Sequence, residues 1–166
     1  MSLASLRQTL LRPRLMYGAV ALACAALIGA AMYLQFHEQL EPCPLCILQR
    51  YAFVLVGILA LLAALLPTFL ARIVASLGVV AALAGAGVSA WHVWLQQHPP
   101  KVSACGPSLE YLVSNLPLGR ALPRIFQGYA DCTNIDWTFF GLSIPAWSLI
   151  WLLMLGIVLG VAQGRR

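Results

Sequence analysis

The sequence predicts an all-α integral membrane protein, a four-transmembrane-helix bundle, and two features of its composition lead to that fold class. Only 9% of its 166 residues are charged and 61% are hydrophobic, whereas an average soluble domain has about 25% charged residues. Four segments stay apolar over the roughly 20 residues that a helix needs to cross a hydrocarbon core of about 30 Å. We therefore expect a single membrane domain over residues 1–166.

The four spans follow one another with two short connections and one long one. We expect them at about residues 15–36, 46–66, 73–95 and 143–163. The first is too long for the apolar region of a secretory signal, typically about 7–15 residues, so we interpret it as an uncleaved helix. Pro67 should end the second helix, and residues 68–71 should then form a tight turn.

The charged residues predict the orientation of the bundle. All acidic residues lie in the outer loops, at about residues 37–45 and 96–142, whereas six of the nine arginines lie at the two termini and the short second connection. Because cytoplasmic loops carry an excess of basic residues, we expect both termini in the cytoplasm. The formal charge of +5 then reflects topology, and basic and aromatic residues do not interleave as nucleic-acid binding would require.

Small residues in the third span predict close helix packing. Gly78, Gly85 and Gly87 lie there within a run rich in alanine. Small residues let the backbones of membrane helices approach each other, because lipid supplies little hydrophobic force for association. We expect all three glycines to line a helix contact.

Within the long outer loop, apolar residues alternate with polar and basic ones over residues 109–126, where two prolines interrupt the run. This pattern is typical of short amphipathic helices that lie on the membrane surface. We expect such helices in this loop, outside the four spans.

The chemistry of the sequence converges on residues 41–50. Cys43 and Cys46 form a Cys-x-x-Cys pair there, and a proline stands on each side of Cys43. Proline fixes its own φ angle and biases the preceding residue away from the helical region. We therefore expect the motif to stay extended as far as Leu45 and the second helix to begin near Cys46.

Cys46 is the candidate reactive sulfur. Arg50 follows four residues later, which places both side chains on one face of a helix, one turn apart. The charge of Arg50 and the partial positive charge of the helix N-terminus both favour the thiolate. The sequence thus predicts a lowered pKa for the Cys46 thiol.

The five cysteines divide into two outer pairs and one residue in the first span, Cys24. Cysteines that face an oxidising compartment usually form disulfides, which pairs Cys43 with Cys46 and Cys105 with Cys132. Structural zinc sites normally contain two short-spaced pairs, and only one occurs here, so we expect no metal site. Cys24 is interpreted as packing filler in an apolar environment.

Two outer disulfides on a small bundle, one of them beside an arginine, suggest an electron relay by thiol–disulfide exchange. Such a relay needs a final acceptor. The sequence contains no haem, flavin or dinucleotide motif. A lipid-soluble acceptor at the outer end of the bundle is therefore the simplest hypothesis.

Together these features resemble the DsbB family, whose members are membrane quinone reductases that reoxidise a periplasmic thiol oxidase. The resemblance covers almost the whole chain, and the order and spacing of its motifs are specific. The first motif is Pro42-Cys43-x-x-Cys46 with Gln49-Arg50, and the second is the pair Cys105 and Cys132 with Asp131. The third consists of Trp137, Phe140-Gly141-Leu142 and Ile144-Pro145-Ala146-Trp147. The resemblance implies a bacterial inner-membrane bundle in which the long loop, with its short amphipathic helices, is periplasmic.

The resemblance also implies a route for electrons. The partner would be a DsbA-like periplasmic thiol oxidase, whose nucleophilic cysteine bonds transiently to Cys105 of the Cys105–Cys132 disulfide. The resulting loop dithiol would be reoxidised by the Cys43–Cys46 disulfide. The chain would thus be a quinone-dependent protein-disulfide oxidoreductase.

The same resemblance implies a binding site for a quinone of the membrane pool, ubiquinone or menaquinone. Cys46 would meet the quinone ring, and Arg50 matches the family arginine that supports its reaction. His92 matches by spacing a family histidine near the quinone. These three residues are the expected cofactor-binding residues.

Two other functions fit the same cysteines. A related redox membrane protein that serves a dedicated partner would need the same two pairs. A membrane scaffold or small transporter could carry them as structural disulfides only. The sequence argues against the transporter, because acidic and basic residues are absent from the middle of every span.

Overall fold

The computed structural model describes residues 13–37, 43–98, 132, 135 and 137–165. Within them the chain forms four long helices and one short hairpin. The helices are α1 (Pro13–His37), α2 (Pro44–Leu65), α3 (Thr68–Gln97) and α4 (Ile144–Gly164), and the hairpin strands are β1 (Thr138–Phe139) and β2 (Leu142–Ser143). The amphipathic helices expected within residues 109–126 and the basic N-terminal tail lie outside the described residues.

All four helices are long and apolar enough to cross a membrane, with a mean hydropathy of 2.0 to 2.2 in their best windows. Large apolar side chains cover the outside of the bundle. Leu22, Leu65 and Phe69 are 72%, 73% and 74% exposed, which would be unfavourable in water but suits contact with lipid tails. The prediction of an all-α membrane protein with four spanning helices is confirmed.

Helix α2 begins earlier than the sequence pattern suggested. Its first residue is Pro44, and Cys43 is its N-cap in an extended conformation. Proline suits the first helical position, because its fixed φ is already helical and the N–H it lacks would have no partner there. The expectation of an extended chain up to Leu45, with a helix start near Cys46, was wrong for this reason.

The connection between α2 and α3 is also shorter than expected. Leu66 caps the end of α2, and Pro67 is the extended N-cap of α3, which begins at Thr68. The predicted turn over residues 68–71 is therefore helical. Pro67 acts as the break for both helices, since proline ends one helix and is tolerated directly before the next.

The helices pack in sequence, with α3 in close contact with both α2 and α4, and α1 against α2. A Cβ atom on Gly85 would lie 2.6 Å from the Cβ of Ala52, and one on Gly78 would lie 3.1 Å from Leu159 Cδ1. A Cβ on Gly87 would meet nothing within 4 Å. The prediction of close packing is confirmed for Gly78 and Gly85 and wrong for Gly87, which faces outward.

The different surroundings of Gly85 and Gly87 can be tested by measuring stability. We expect Gly85→Ala to destabilise the protein by about 1–3 kcal/mol, because the added methyl group overpacks the contact with Ala52. Gly87→Ala is the matched control and should be neutral or slightly stabilising, since alanine favours a helix over glycine. Thermal unfolding of the two variants in detergent measures both effects. Equal melting temperatures would contradict the close approach of α2 and α3.

The hairpin between the long loop and α4 was not predicted. Its two strands pair Thr138 with Ser143 and Phe139 with Leu142. The two turn residues, Phe140 and Gly141, have φ angles of 52° and 77°, as a two-residue hairpin of the primed type requires. Phe140 is 86% exposed, and its ring packs edge-on against that of Phe139 at a centroid distance of 4.5 Å. A residue with a Cβ atom costs roughly 1–2 kcal/mol at such a φ.

Two hydrogen bonds fix the hairpin to the bundle. Trp147 Nε1 of α4 donates to the Phe139 carbonyl oxygen at 3.0 Å, and Ser143 Oγ donates to Gln96 Oε1 of α3 at 2.7 Å. The hairpin is thereby held over the end of the bundle at which α3 ends and α4 begins. This is also the end at which α2 begins with the Cys-x-x-Cys pair.

Candidate functional site

The candidate site is at the end of the bundle where α1 and α3 end and α2 and α4 begin. Cys43, Leu45, Leu95 and Cys132 form a buried apolar cluster there, separate from the main core of the bundle. Two of the expected reactive cysteines, far apart in sequence, therefore meet in one cluster.

Cys43 and Cys46 contact each other through their sulfurs. The Cys43 thiol donates to Cys46 Sγ at 3.1 Å, and Cys43 Sγ accepts a hydrogen bond from the Cys46 backbone N–H at 3.4 Å. A disulfide would bring the sulfurs to about 2.05 Å, so the two sulfurs are in contact but not bonded to each other in this structure. The sulfur that receives the free N–H at the helix start is that of Cys43, because α2 begins at Pro44.

Cys43 is held as a neutral thiol. A hydrogen bond with Cys132 lowers the pKa of Cys43, but the hydrogen bond to Cys46 and burial outweigh it and raise that pKa to about 12. The residue is only 7% exposed. A protonated Cys43 can donate to Cys46, which leaves Cys46 as the sulfur on which negative charge is stabilised.

Cys132, a residue of the long loop, contacts this pair. It is 1% exposed and shares a side-chain hydrogen bond with Cys43. Its carbonyl oxygen lies 3.1 Å from His92 Nε2. The predicted partner of Cys132, Cys105, lies outside the described residues, so the Cys105–Cys132 pairing stays a prediction.

His92 is buried among these groups, at 2% exposure. Gln49 Nε2 lies 3.1 Å from His92 Nδ1, and His92 Nε2 lies 3.1 Å from the Cys132 carbonyl oxygen and 3.7 Å from Cys43 Sγ. If the Gln49 amide donates to Nδ1, the imidazole proton must be on Nε2, where the carbonyl accepts it. His92 thus connects α2, α3 and the segment at Cys132.

Arg50 reaches towards α1. Its Nη1 donates to Gln35 Oε1 at 2.5 Å, and its Nη2 donates to the Ala31 carbonyl oxygen at 3.3 Å. The guanidinium is therefore fixed at the C-terminal turns of α1, on the same side of the bundle as Cys46.

A cavity of about 580 Å³ opens beside these residues. The residues that α2, its N-cap and α3 supply to the lining include Cys43, Cys46, Gln49, Arg50 and His92. The other walls are mostly apolar and are supplied by α1, the hairpin and the start of α4. A largely apolar cavity with a few convergent polar groups is the usual form of a small-molecule site.

The structure therefore gathers most of the predicted site residues. Cys43, Cys46, Arg50 and His92 all line the cavity, and Cys132 contacts Cys43.

Sequence reasoning missed two features of this site. Gln49 was noted only as part of a motif, and its near-complete burial at 2% exposure makes it a functional candidate. A polar residue one position before Arg50, on the first turns of an otherwise apolar helix, was the available signal. The hairpin that lines the cavity with Phe139 had only the Phe140-Gly141 dipeptide as a turn signal.

Cys24 lies away from the site. It is 2% exposed within the main core, and a Cβ on Gly57 of α2 would lie 3.0 Å from its Cβ. This contact between α1 and α2 is consistent with the interpretation of Cys24 as packing filler.

Comparison with known proteins places the chain in a family. The model of a family described as disulfide bond formation protein DsbB matches residues 13–162. Proteins named disulfide bond formation protein B are similar to the chain. That of Azoarcus sp. strain BH72 is 49% identical over 82% of this chain and 84% of its own length. Those of Methylococcus capsulatus strain Bath and Acidovorax sp. strain JS42 are 51% and 43% identical, over 81% and 92% of this chain and 84% and 88% of their own lengths.

Proposed function

Since the chain belongs to the DsbB family of disulfide bond formation proteins, we propose that it transfers electrons from a DsbA-like periplasmic thiol oxidase to a membrane quinone. It is a multi-pass membrane disulfide oxidoreductase. The single observation that carries the proposal is the contact of Cys132 with Cys43 beside an apolar cavity that Cys46 lines.

The contact between Cys132 and Cys43 supports transfer between the two cysteine pairs. A thiolate on Cys132 attacks Cys43 of the oxidised pair, which forms a Cys132–Cys43 disulfide and releases Cys46 as thiolate. Attack of Cys105 on Cys132 then restores the loop disulfide and releases Cys43, which takes up a proton. Two electrons have passed from the loop pair to the Cys43–Cys46 pair, and the loop is ready for the next reduced partner.

The cavity fits a quinone head group. Its walls are mostly apolar, its volume is about 580 Å³, and Cys46 and Arg50 are both among the residues that line it. A bound quinone would supply an acceptor for two electrons and two protons from the dithiol. Residues of α1 and the hairpin would enclose the ring, and the lipid-facing side of the bundle would leave room for an isoprenoid tail.

Arg50 would stabilise the negative charge that develops in the cavity during the reaction. Its guanidinium is oriented by Gln35 and the Ala31 carbonyl oxygen, so it needs little rearrangement. A fixed cation in an apolar site stabilises developing charge more strongly than one in water. We assign it to charge stabilisation, both at the sulfur of Cys46 and at a quinone oxygen.

The same arrangement supports an orientation of the bundle in the membrane. The cysteine site lies at the end of the bundle opposite the short connection between α2 and α3. That connection adjoins Arg72, and basic residues mark the cytoplasmic side of a membrane protein. We therefore propose that the site faces the periplasm of a bacterial inner membrane and that both termini are cytoplasmic.

His92 and Gln49 would position the two sulfurs for exchange. With its proton on Nε2, His92 donates to the Cys132 carbonyl oxygen and points the same N–H towards Cys43 Sγ. Gln49 selects this tautomer through Nδ1. The pair thus holds Cys132 against the N-terminus of α2.

This role can be tested at Gln49. We expect Gln49→Leu to slow transfer between the cysteine pairs about 10-fold, because it removes one buried hydrogen bond and frees the orientation of His92. Rapid mixing with reduced partner in the absence of quinone, followed by acid quench and alkylation of Cys43 and Cys46, measures the rate. Gln97→Leu, at an exposed position of α3, is the control. An unchanged rate would contradict the positioning role.

Alkylation of the thiols distinguishes the proposed relay from a scaffold with structural disulfides. The oxidised protein is mixed with excess reduced DsbA-like oxidase without quinone, and mass spectrometry then counts alkylated cysteines. We expect Cys43, Cys46, Cys105 and Cys132 to become reactive and to be protected again when a quinone analogue is added. Disulfides that stay closed throughout would support the scaffold instead.

A further inference from the structure

Three groups that bind soft metal ions meet beside the cavity. One ligand atom from each of Cys43, Cys46 and His92 lies within 4.8 Å of the other two. Cys43 and His92 are buried, and Cys46 is partly buried. The expectation of no metal site was based on cysteine spacing alone, which takes no account of a histidine that only the fold brings to the pair.

We propose that the reduced Cys43–Cys46 pair and His92 capture one thiophilic divalent ion of the zinc class, and that the bound ion holds the protein in its reduced form. This goes beyond the proposed electron transfer and does not require it. The site would act as a brake on reoxidation whenever the dithiol persists.

The distances are close to those that a tetrahedral ion needs. Zinc binds sulfur at about 2.3 Å and imidazole nitrogen at about 2.0–2.1 Å, which places two sulfurs about 3.7 Å apart and a sulfur and a nitrogen about 3.5 Å apart. Cys43 Sγ and His92 Nε2 are 3.7 Å apart, and the two sulfurs are 3.1 Å apart. To bind one ion the sulfurs would move about half an ångström further apart, and all three ligand atoms already lie within 4.8 Å of one another.

Gln49 can hydrogen-bond the ring nitrogen of His92 that does not bind the ion. A metal-bound imidazole usually donates its other N–H to a fixed acceptor. When Nε2 binds the ion, its proton moves to Nδ1, which faces the Gln49 side chain at 3.1 Å. An amide can present either its NH₂ or its oxygen, so Gln49 can serve both the metal-free and the metal-bound state.

Capture depends on the redox state of the pair. The ion forms two metal–sulfur bonds, two S–H bonds break, and two protons are released, without any change of oxidation state. A disulfide offers no thiolate ligands, so the oxidised protein should not bind the ion. All three ligand residues line the cavity, which gives the ion a path to them and makes it a competitor of any head group bound there.

Cadmium is a suitable probe, because Cd²⁺–thiolate bonds absorb in the near ultraviolet. The full-length protein in detergent is reduced with a phosphine, which is then removed, and titrated with Cd²⁺ under anaerobic conditions. Cys105→Ser/Cys132→Ser protein is used in parallel, so that the loop thiols cannot contribute. We expect saturation at one equivalent in the double variant and no thiolate absorbance in the disulfide form. Zn²⁺ should compete for the same site.

Variants of His92, the third ligand, test whether the site is more than a pair of thiols. His92→Ala should weaken binding at least about 10-fold, and His92→Cys should restore it, because a thiolate replaces the imidazole. His98→Ala, at an exposed histidine at the end of α3, is the control and should bind like the parent protein. Circular dichroism checks that each variant keeps its helices. Equal affinity of the His92→Ala and parent proteins would reduce the site to an ordinary dithiol chelate and overturn the proposal, as would binding to the disulfide form.

Discussion

Replacement of Cys46 by serine should reduce quinone reduction to background, a loss of at least about 1,000-fold, because a serine hydroxyl cannot enter a disulfide. Electron transfer in the variant should also halt at one particular disulfide. Cys43 remains in contact with Cys132, so its thiolate attacks Cys132 in the loop disulfide and releases Cys105. A Cys43–Cys132 disulfide should therefore accumulate.

Peptide mapping by mass spectrometry, after alkylation without reduction, detects this disulfide. Cys24→Ser is the matched control. It changes a buried cysteine away from the site, and turnover should stay close to that of the parent protein. Quinone reduction by the Cys46→Ser protein, or a stable disulfide from Cys132 to some other cysteine, would contradict the order of transfer.

Loss of the Arg50 guanidinium should have the next largest effect. We expect Arg50→Met to lower kcat/KM for a quinone analogue by about 30–100-fold, which corresponds to the roughly 2–3 kcal/mol of a hydrogen bond to a charged group. The kcat/KM of Arg50→Lys should lie between those of the parent protein and of Arg50→Met, because lysine keeps the charge but lacks the planar fork that contacts α1.

The control for Arg50 is Arg165→Met, which removes the same charge at the C-terminal end of α4. Its kcat/KM should equal that of the parent protein. Steady-state kinetics with the partner oxidase saturating and the quinone analogue varied measure the effect. Normal turnover of Arg50→Met, combined with a lower melting temperature, would show that Arg50 only anchors α2 to α1.

Fold class was predictable because membrane helices depend on composition over long windows. Charge depletion and apolar length do not depend on contacts between distant residues, so the four helices were found. Their ends depend on single residues. Pro44 was interpreted through its effect on the preceding residue, whereas its suitability for the first helical position decided the start of α2.

The site was predictable only in part, for a physical reason. Cys43, Cys46 and Arg50 are neighbours in sequence, so their proximity follows from helix geometry. The pairing of Gln49 with His92 joins residues on two different helices, and a single sequence carries no signal for such a contact. The same holds for the contact of Cys132 with Cys43.

The central claim is that electrons from a protein dithiol reach a quinone through this chain. The most direct test follows quinone absorbance after substoichiometric reduced DsbA-like oxidase is mixed with the purified protein and a soluble ubiquinone analogue. We expect one quinone to be reduced for each partner dithiol oxidised, and no reduction when the protein is omitted. Oxidation of the partner without quinone reduction, or no oxidation at all, would contradict the account.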